Sequence, residues 1–174
     1  MVIRIFYCII AVFSIVMVFV VFQDPYFSDE IKQDVRVANM QVNDVVDYEI
    51  NASVVSGIYE ADEIVRYSNQ DEFLHFKANV LRGNLKHDIS SQKAIMRGDN
   101  ITFKDSVKYD NNESLNFSSD EVIYNTKSKI AISKAPFIAI QNGDKIIGKS
   151  LRYDMVKKQT DIKGFKAWIE QERH

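Results

Sequence analysis

The sequence contains a single cysteine, Cys8, so no disulfide can form within the chain and no multi-cysteine metal site is available. It has only two prolines and six glycines in 174 residues, too few for a linker or a disordered tail. It has little net charge: 22 Lys and Arg stand against 24 Asp and Glu, and the basic residues are scattered. That excludes the basic stripe of a nucleic-acid-binding surface. The three histidines, His75, His87 and His174, lie far apart, and none has the spacing of a metal-ligand pair. There is no H-E-x-x-H, no G-x-S-x-G and no Gly-rich phosphate loop. The many carboxylates fall in polar turns, where Asp is expected on backbone grounds alone. The chain therefore offers no catalytic constellation, no cofactor site and no energy source of its own.

What it has is, first, a long apolar run. Ile5–Phe22 is 18 residues without a charge. As a helix it would span about 27 Å, close to the thickness of a bilayer core. Arg4 precedes it, while Asp24, Asp29, Glu30 and Asp34 follow, which places the amino terminus in the cytoplasm and the remainder outside. Gln23-Asp24-Pro25-Tyr26-Phe27 offers no pair of small residues for a signal peptidase. The run is accordingly expected to be an uncleaved single-pass anchor. The competing reading is a cleaved signal, with Ser28 the nearest small residue. Residues 1–22 are then the anchor, 23–34 a linker and 35–174 one extracytoplasmic domain.

Second, the domain repeats itself. The phrase "LRYDMVKKQTDIKGF" at Leu151–Phe165 has counterparts at Val65–Ala78 and Val122–Ala135. Aligned on Tyr67, Tyr124 and Tyr153, the copies leave room for a fourth at Met96. A second marker follows each one, beginning at Lys77, Lys104, Lys134 and Lys163. Two markers in phase over four copies define an array of one supersecondary unit. Alternation in Val65/Tyr67, Val122/Tyr124 and Leu151/Tyr153 has period 2, so the unit is β. The expectation is about a dozen short antiparallel strands joined by tight turns. Stacked units would form a sandwich, a jelly roll or a solenoid. One inward face would carry Val65, Tyr67, Phe76, Val80, Phe103, Leu115, Phe117, Val122, Tyr124, Leu151 and Tyr153. These side chains either close a core or line an apolar slot.

The anchor followed by repeats of the form apolar-x-Tyr, polar turn, strand, Gly or Ala resembles the LptC family of lipopolysaccharide export and its OstA-like module. "IIGKSLRYD" (Ile146–Asp154) and "IKGFKAW" (Ile162–Trp168) carry the resemblance best. Met96 in place of Tyr, and Pro136 within a strand, depart from the pattern. The resemblance implies an all-β fold, an open twisted antiparallel β-jelly roll behind one N-terminal transmembrane helix, with lipid A acyl chains held inside and no enzymatic activity. It implies two partners in the bacterial periplasm and inner membrane: the lipopolysaccharide ABC transporter and a soluble bridge subunit.

Free strand edges at each end of such a module invite strand addition. The first edge, around Val35, Val37, Met40 and Val42, is expected to meet a β domain of the transporter. The last strand, Lys163–Gln171 with Lys163, Phe165 and Trp168, is expected to meet the soluble subunit. Asn51 and Asn112 each have an acidic residue two before and a serine two after, which resembles the extended sequon of bacterial N-glycosylation. A membrane-anchored assembly subunit that binds only proteins is the alternative class. A glycan-processing enzyme would need a paired acid and base that the sequence lacks.

Overall fold

The computed structural model describes residues 38–52 and 54–169. The anchor Ile5–Phe22, the linker, Val35 and Val37 lie outside the described residues.

Among the described residues twelve strands follow one another: β1 (Met40–Asn51), β2 (Val54–Arg66), β3 (Asp71–Arg82), β4 (Leu85–Arg97), β5 (Asn100–Asn111), β6 (Leu115–Asn125), β7 (Ile130–Ser133), β8 (Phe137–Gln141), β9 (Asp144–Gly148), β10 (Ser150–Asp154), β11 (Gln159–Lys163) and β12 (Lys166–Trp168). Every pairing is antiparallel, and β1 to β6 pair in sequence order. The sheet then forks. The far half of β6, Ile123–Asn125, pairs with β7, which leads to β10 and β11. The near half, Leu115–Ser119, pairs with β8, which leads to β9 and β12. The result is an all-β, jelly-roll-like fold, as the resemblance implies.

The first six strands are not short. They run from 11 to 13 residues, and β1, β3, β4 and β5 each carry a left-handed residue or a register shift near the middle. In β1 the left-handed Asp44 is skipped between the pairs Asn43–Glu63 and Val45–Ala61. In β3 the left-handed residue is His75. In β5 Asp105 and Ser106 form a bulge between Lys104 and Val107. A left-handed residue or a bulge turns a strand sharply while keeping its pairing on either side. Further along, the same corner severs the strands outright. Residues 134–136 separate β7 from β8, Lys149 separates β9 from β10, and Gly164-Phe165 separate β11 from β12. Pro136 sits in the first of these breaks, where its missing N–H costs no ladder bond. The expected last strand Lys163–Gln171 is thus corrected to two strands that meet at the corner.

This geometry explains the repeat. One period is two strand crossings and two turns. Tyr124 and Tyr153 mark one rim, and the markers at Lys104, Lys134 and Lys163 fall on the corner itself. The corner folds the sheet into two walls. The first wall holds the turns after β2, β4, β6 and β10; the second holds the turns after β1, β3, β5 and β8. The β6 fork is fastened by a buried hydroxyl knot. The Ser119 and Ser133 hydroxyls lie 2.9 Å apart, with the Pro136 carbonyl 3.1 Å from Ser119 and the Ala135 carbonyl 3.0 Å from Ser133 to accept their protons.

Candidate functional site: an apolar trough between two walls

The interior is built from rows that cross the sheet. On the first wall, pairing places Val42, Ile64, Phe73, Ala94, Phe103 and Val122 side by side. On the second wall the row runs from Tyr59 through Ala78, Ile89, Tyr109 and Phe117 to Ala139 and Ile146. The two walls meet in one cluster. Ala94, Phe103 and Val107 form its centre, with Phe73, Phe76, Ile89, Ile101, Val122 and Tyr124 packed around them. Phe76 of the second wall has its ring 5.7 Å from Phe103 of the first.

The filling is sparse. Among the described residues the buried hydrophobic side chains are Ala61, Ala78, Ala94, Phe103, Val107 and Phe137, and three of these are alanines. The other apolar side chains of the two rows are half-buried or exposed, so the lining keeps surface that the walls do not cover. An ordinary domain core is packed to crystal-like density with large side chains. Here alanine lines the floor and the larger side chains stand only partly covered.

Nine of the eleven residues expected to face inward share this interior: Phe76, Val80, Phe103, Leu115, Phe117, Val122, Tyr124, Leu151 and Tyr153. Val65 and Tyr67 do not. Val65 pairs with Glu72 on the outer face, in the row of Ile95 and Ile123, and Ile64 takes the inner place. Tyr67 lies beyond β2, where its N–H donates to the Gln70 carbonyl, so the alignment on Tyr67 is one residue out of register with Tyr124. A slip of one residue moves every side chain to the opposite face. Beside Val65 the buried carboxylate of Glu72 is held by Lys93 at 2.5 Å and by the Gln70 amide. Interior residues that simple alternation misses include Phe73, Ala94 and Ile89. The cause is the corner: Ala61 and Ile64, Phe73 and Phe76, Ser91 and Ala94, and Ser119 and Val122 are each three apart yet face the same way.

The rim of the second wall is polar. Glu49 accepts hydrogen bonds from Arg82 (2.8 Å), Tyr59 (2.9 Å) and Ser56 (3.1 Å). The Arg82 guanidinium, then the Tyr59 hydroxyl, hold the Glu49 carboxyl down at about 2. Burial, and then the hydrogen bond to Glu49, push the Tyr59 phenol up. Next along the rim, His87 Nδ1 lies 2.8 Å from the Tyr109 hydroxyl. Burial lowers the His87 imidazole and raises the Tyr109 phenol. Because Glu49 is depressed in the folded chain, its contribution is complete above about 4.5 and is lost as the pH falls through about 2. Glu49→Gln should therefore lower the melting temperature at neutral pH. The gap to the parent should close between about pH 4.5 and pH 2 in thermal melts recorded across that range.

Of the residues expected at the partner edges, those described lie on or beside strands at the ends of the sheet order. Met40 and Val42 lie on β1, which among the described residues pairs only with β2, and both are exposed. Lys163 ends β11, Phe165 lies in the corner after it, and Trp168 ends β12, the last strands of the two branches among the described residues. Asn51 is exposed at the end of β1. Asn112 is exposed as well, but its amide is in use: it accepts from the Lys86 N–H and donates to the Asn84 carbonyl.

A creased antiparallel sheet with an apolar row on each wall places the domain in the class of β-jelly-roll-like folds. A family model described as "Lipopolysaccharide-assembly, LptC-related" matches residues 7–166. The chain belongs to the LptC family. Among solved structures it is similar to LptH, described as the LptA homologous periplasmic component of the lipopolysaccharide transport device of Pseudomonas aeruginosa. Identity there is 10%, the match covers 76% of this chain and 94% of that chain, and the TM-score is 0.43. No curated protein matches this chain.

Proposed function

We propose that the trough carries the acyl chains of lipid A during lipopolysaccharide export. Loading comes from the inner-membrane ABC transporter, whose β domain adds to β1. Release goes to a soluble bridge subunit that adds to β11 and β12. The Ile5–Phe22 anchor holds the chain in the inner membrane with the domain in the periplasm. Family membership supports a part in lipopolysaccharide transport, and the sparse lining is the observation that carries the acyl-chain reading.

The energetics favour an open trough over a closed pocket. Each buried methylene contributes about 0.8 kcal/mol. Several fully buried chains would pass the practical affinity ceiling of about −20 kcal/mol. A tight pocket would never let go, whereas partial cover permits transfer. Charge supports a directional assembly. The β1–β2 hairpin carries six carboxylates against one cation, Arg66. The segment Phe137–Trp168 carries seven cations against three carboxylates. Edges of opposite sign favour end-to-end contact between modules of this kind and disfavour contact between like ends.

The test uses the period of the sheet. A photoreactive residue at Ile89, Tyr109 or Phe117 should crosslink to lipopolysaccharide in cells. The same probe at their outward neighbours Asp88, Lys108 and Asn116 should not. Crosslinks that ignore this alternation would reject the trough. Native mass spectrometry of the purified chain then separates it from a subunit that binds only proteins, which would carry no lipid.

A further inference from the structure

We infer that the turns after β6 and β10 form a docking tip for an anionic bilayer surface. This goes beyond the acyl-chain reading and does not depend on it. The two turns are built alike, 29 residues apart. In the first, Asn125 Oδ1 accepts from the N–H groups of Lys127 (3.1 Å) and Ser128 (2.7 Å). In the second, Asp154 Oδ1 accepts from the N–H groups of Val156 (3.1 Å) and Lys157 (2.9 Å). The fifth residue of each turn is left-handed, with φ of 58° at Lys129 and 54° at Lys158. A glycine or asparagine would sit there at less cost. Both turns place lysine there instead. The Met155 N–H donates to the Lys129 carbonyl at 3.0 Å, so the two turns form one unit.

That unit presents Lys127, Lys129, Lys157 and Lys158, all exposed, with Met155 and Val156 beside them. Val156 is 74% exposed and Met155 43% exposed. Among the described residues no ion pair holds any of the four ammonium groups. The one carboxylate in these turns, Asp154, is buried and occupied by backbone N–H groups. Turns on the opposite rim are rich in amides, such as Asn111-Asn112-Glu113-Ser114 and Gln141-Asn142-Gly143, and have no such cluster. Lysines around an exposed apolar pair match an interface of lipid phosphates over acyl chains. A soluble protein partner would be expected to use a broader surface than two turn tips. The sequence allows the approach: 17 residues separate the apolar run from Met40. They can span at most about 60 Å.

The experiment uses the full chain, with Cys8→Ser, reconstituted in nanodiscs that contain spin-labelled lipid. A fluorophore on Val156→Cys should be quenched in discs with a quarter anionic lipid. It should not be quenched in neutral discs, and a fluorophore on Glu113→Cys should be quenched in neither. Each of the substitutions Lys127→Gln, Lys129→Gln, Lys157→Gln and Lys158→Gln should lower the docked-to-free ratio about fivefold. High salt should have the same direction of effect. Equal quenching in neutral and anionic discs overturns the inference. So does a label at 156 that responds to inorganic phosphate or lipopolysaccharide micelles but not to the anionic bilayer. Circular dichroism of the lysine variants should match the parent. A variant that loses docking along with its β spectrum is replaced by the single substitution Lys158→Asn, which fits the left-handed turn and should still show the fivefold drop; an unchanged ratio in that variant counts against the tip.

Discussion

Gly148→Ala should lower stability by about 3 kcal/mol, near the upper end for one added methyl. Gly148 ends β9 opposite Phe137. An added Cβ would lie 2.3 Å from Phe137 Cε1, 2.6 Å from its Cζ and 3.0 Å from Ile162 Cγ2. Neither neighbour can yield easily. Phe137 is 2% exposed and stacked on Phe117, ring centroids 5.5 Å apart. Ile162 belongs to β11 of the other branch, so Gly148 is where the two arms of the fork close on one another. The methyl must either unstack the phenylalanines or part the arms. In a domain of this size the shift in melting temperature should be about 10 °C. Phe137→Leu in the same chain removes the ring edge that clashes. The double variant should be more stable than the sum of the single changes requires, and strict additivity would show that the ring is not the obstacle.

Phe76→Asp should abolish crosslinking to lipopolysaccharide from probes inside the trough while the β spectrum survives. Phe76 bridges the walls, 6.0 Å from Phe73 and 5.7 Å from Phe103 by ring centroids. It is half-buried, so a carboxylate there can stay hydrated by reaching the open part of the trough. The same hydrated charge lies in the path of an acyl chain, which would have to desolvate it at a cost of several kcal/mol. Phe76→Leu keeps the lining apolar and should retain most of the crosslink. Crosslinking undiminished in Phe76→Asp would remove this part of the interior from the lipid path. Loss in both variants would point to the aromatic contacts rather than to apolarity.

Much of this was legible in the sequence. The all-β class, the roughly 29-residue unit and most of the inward face follow from alternation and from recurring markers. Even the corner left a trace, since the recurring Lys104, Lys134 and Lys163 stand on it. The register of the first copy did not follow, because Val65 and Ile64 are both apolar and either could face inward. Pairing resolves it: Ile64 stands beside Phe73, and Val65 beside Glu72.

By itself the sequence determined that a β repeat would be built and which residues were apolar enough to line it, because side-chain period and turn chemistry are local properties. Only the tertiary structure decided that the long strands bend, that the sheet forks at β6, and that the walls enclose an interior floored by alanine. Those depend on left-handed residues such as Asp44 and His75, and on a bulge at Asp105-Ser106, whose conformations arise from pairing with distant strands. At the bends of β1 and β3 one extra residue reverses the alternation beyond it, whereas the two-residue bulge of β5 leaves Phe103 and Val107 in phase, and no local pattern announces which of these happens.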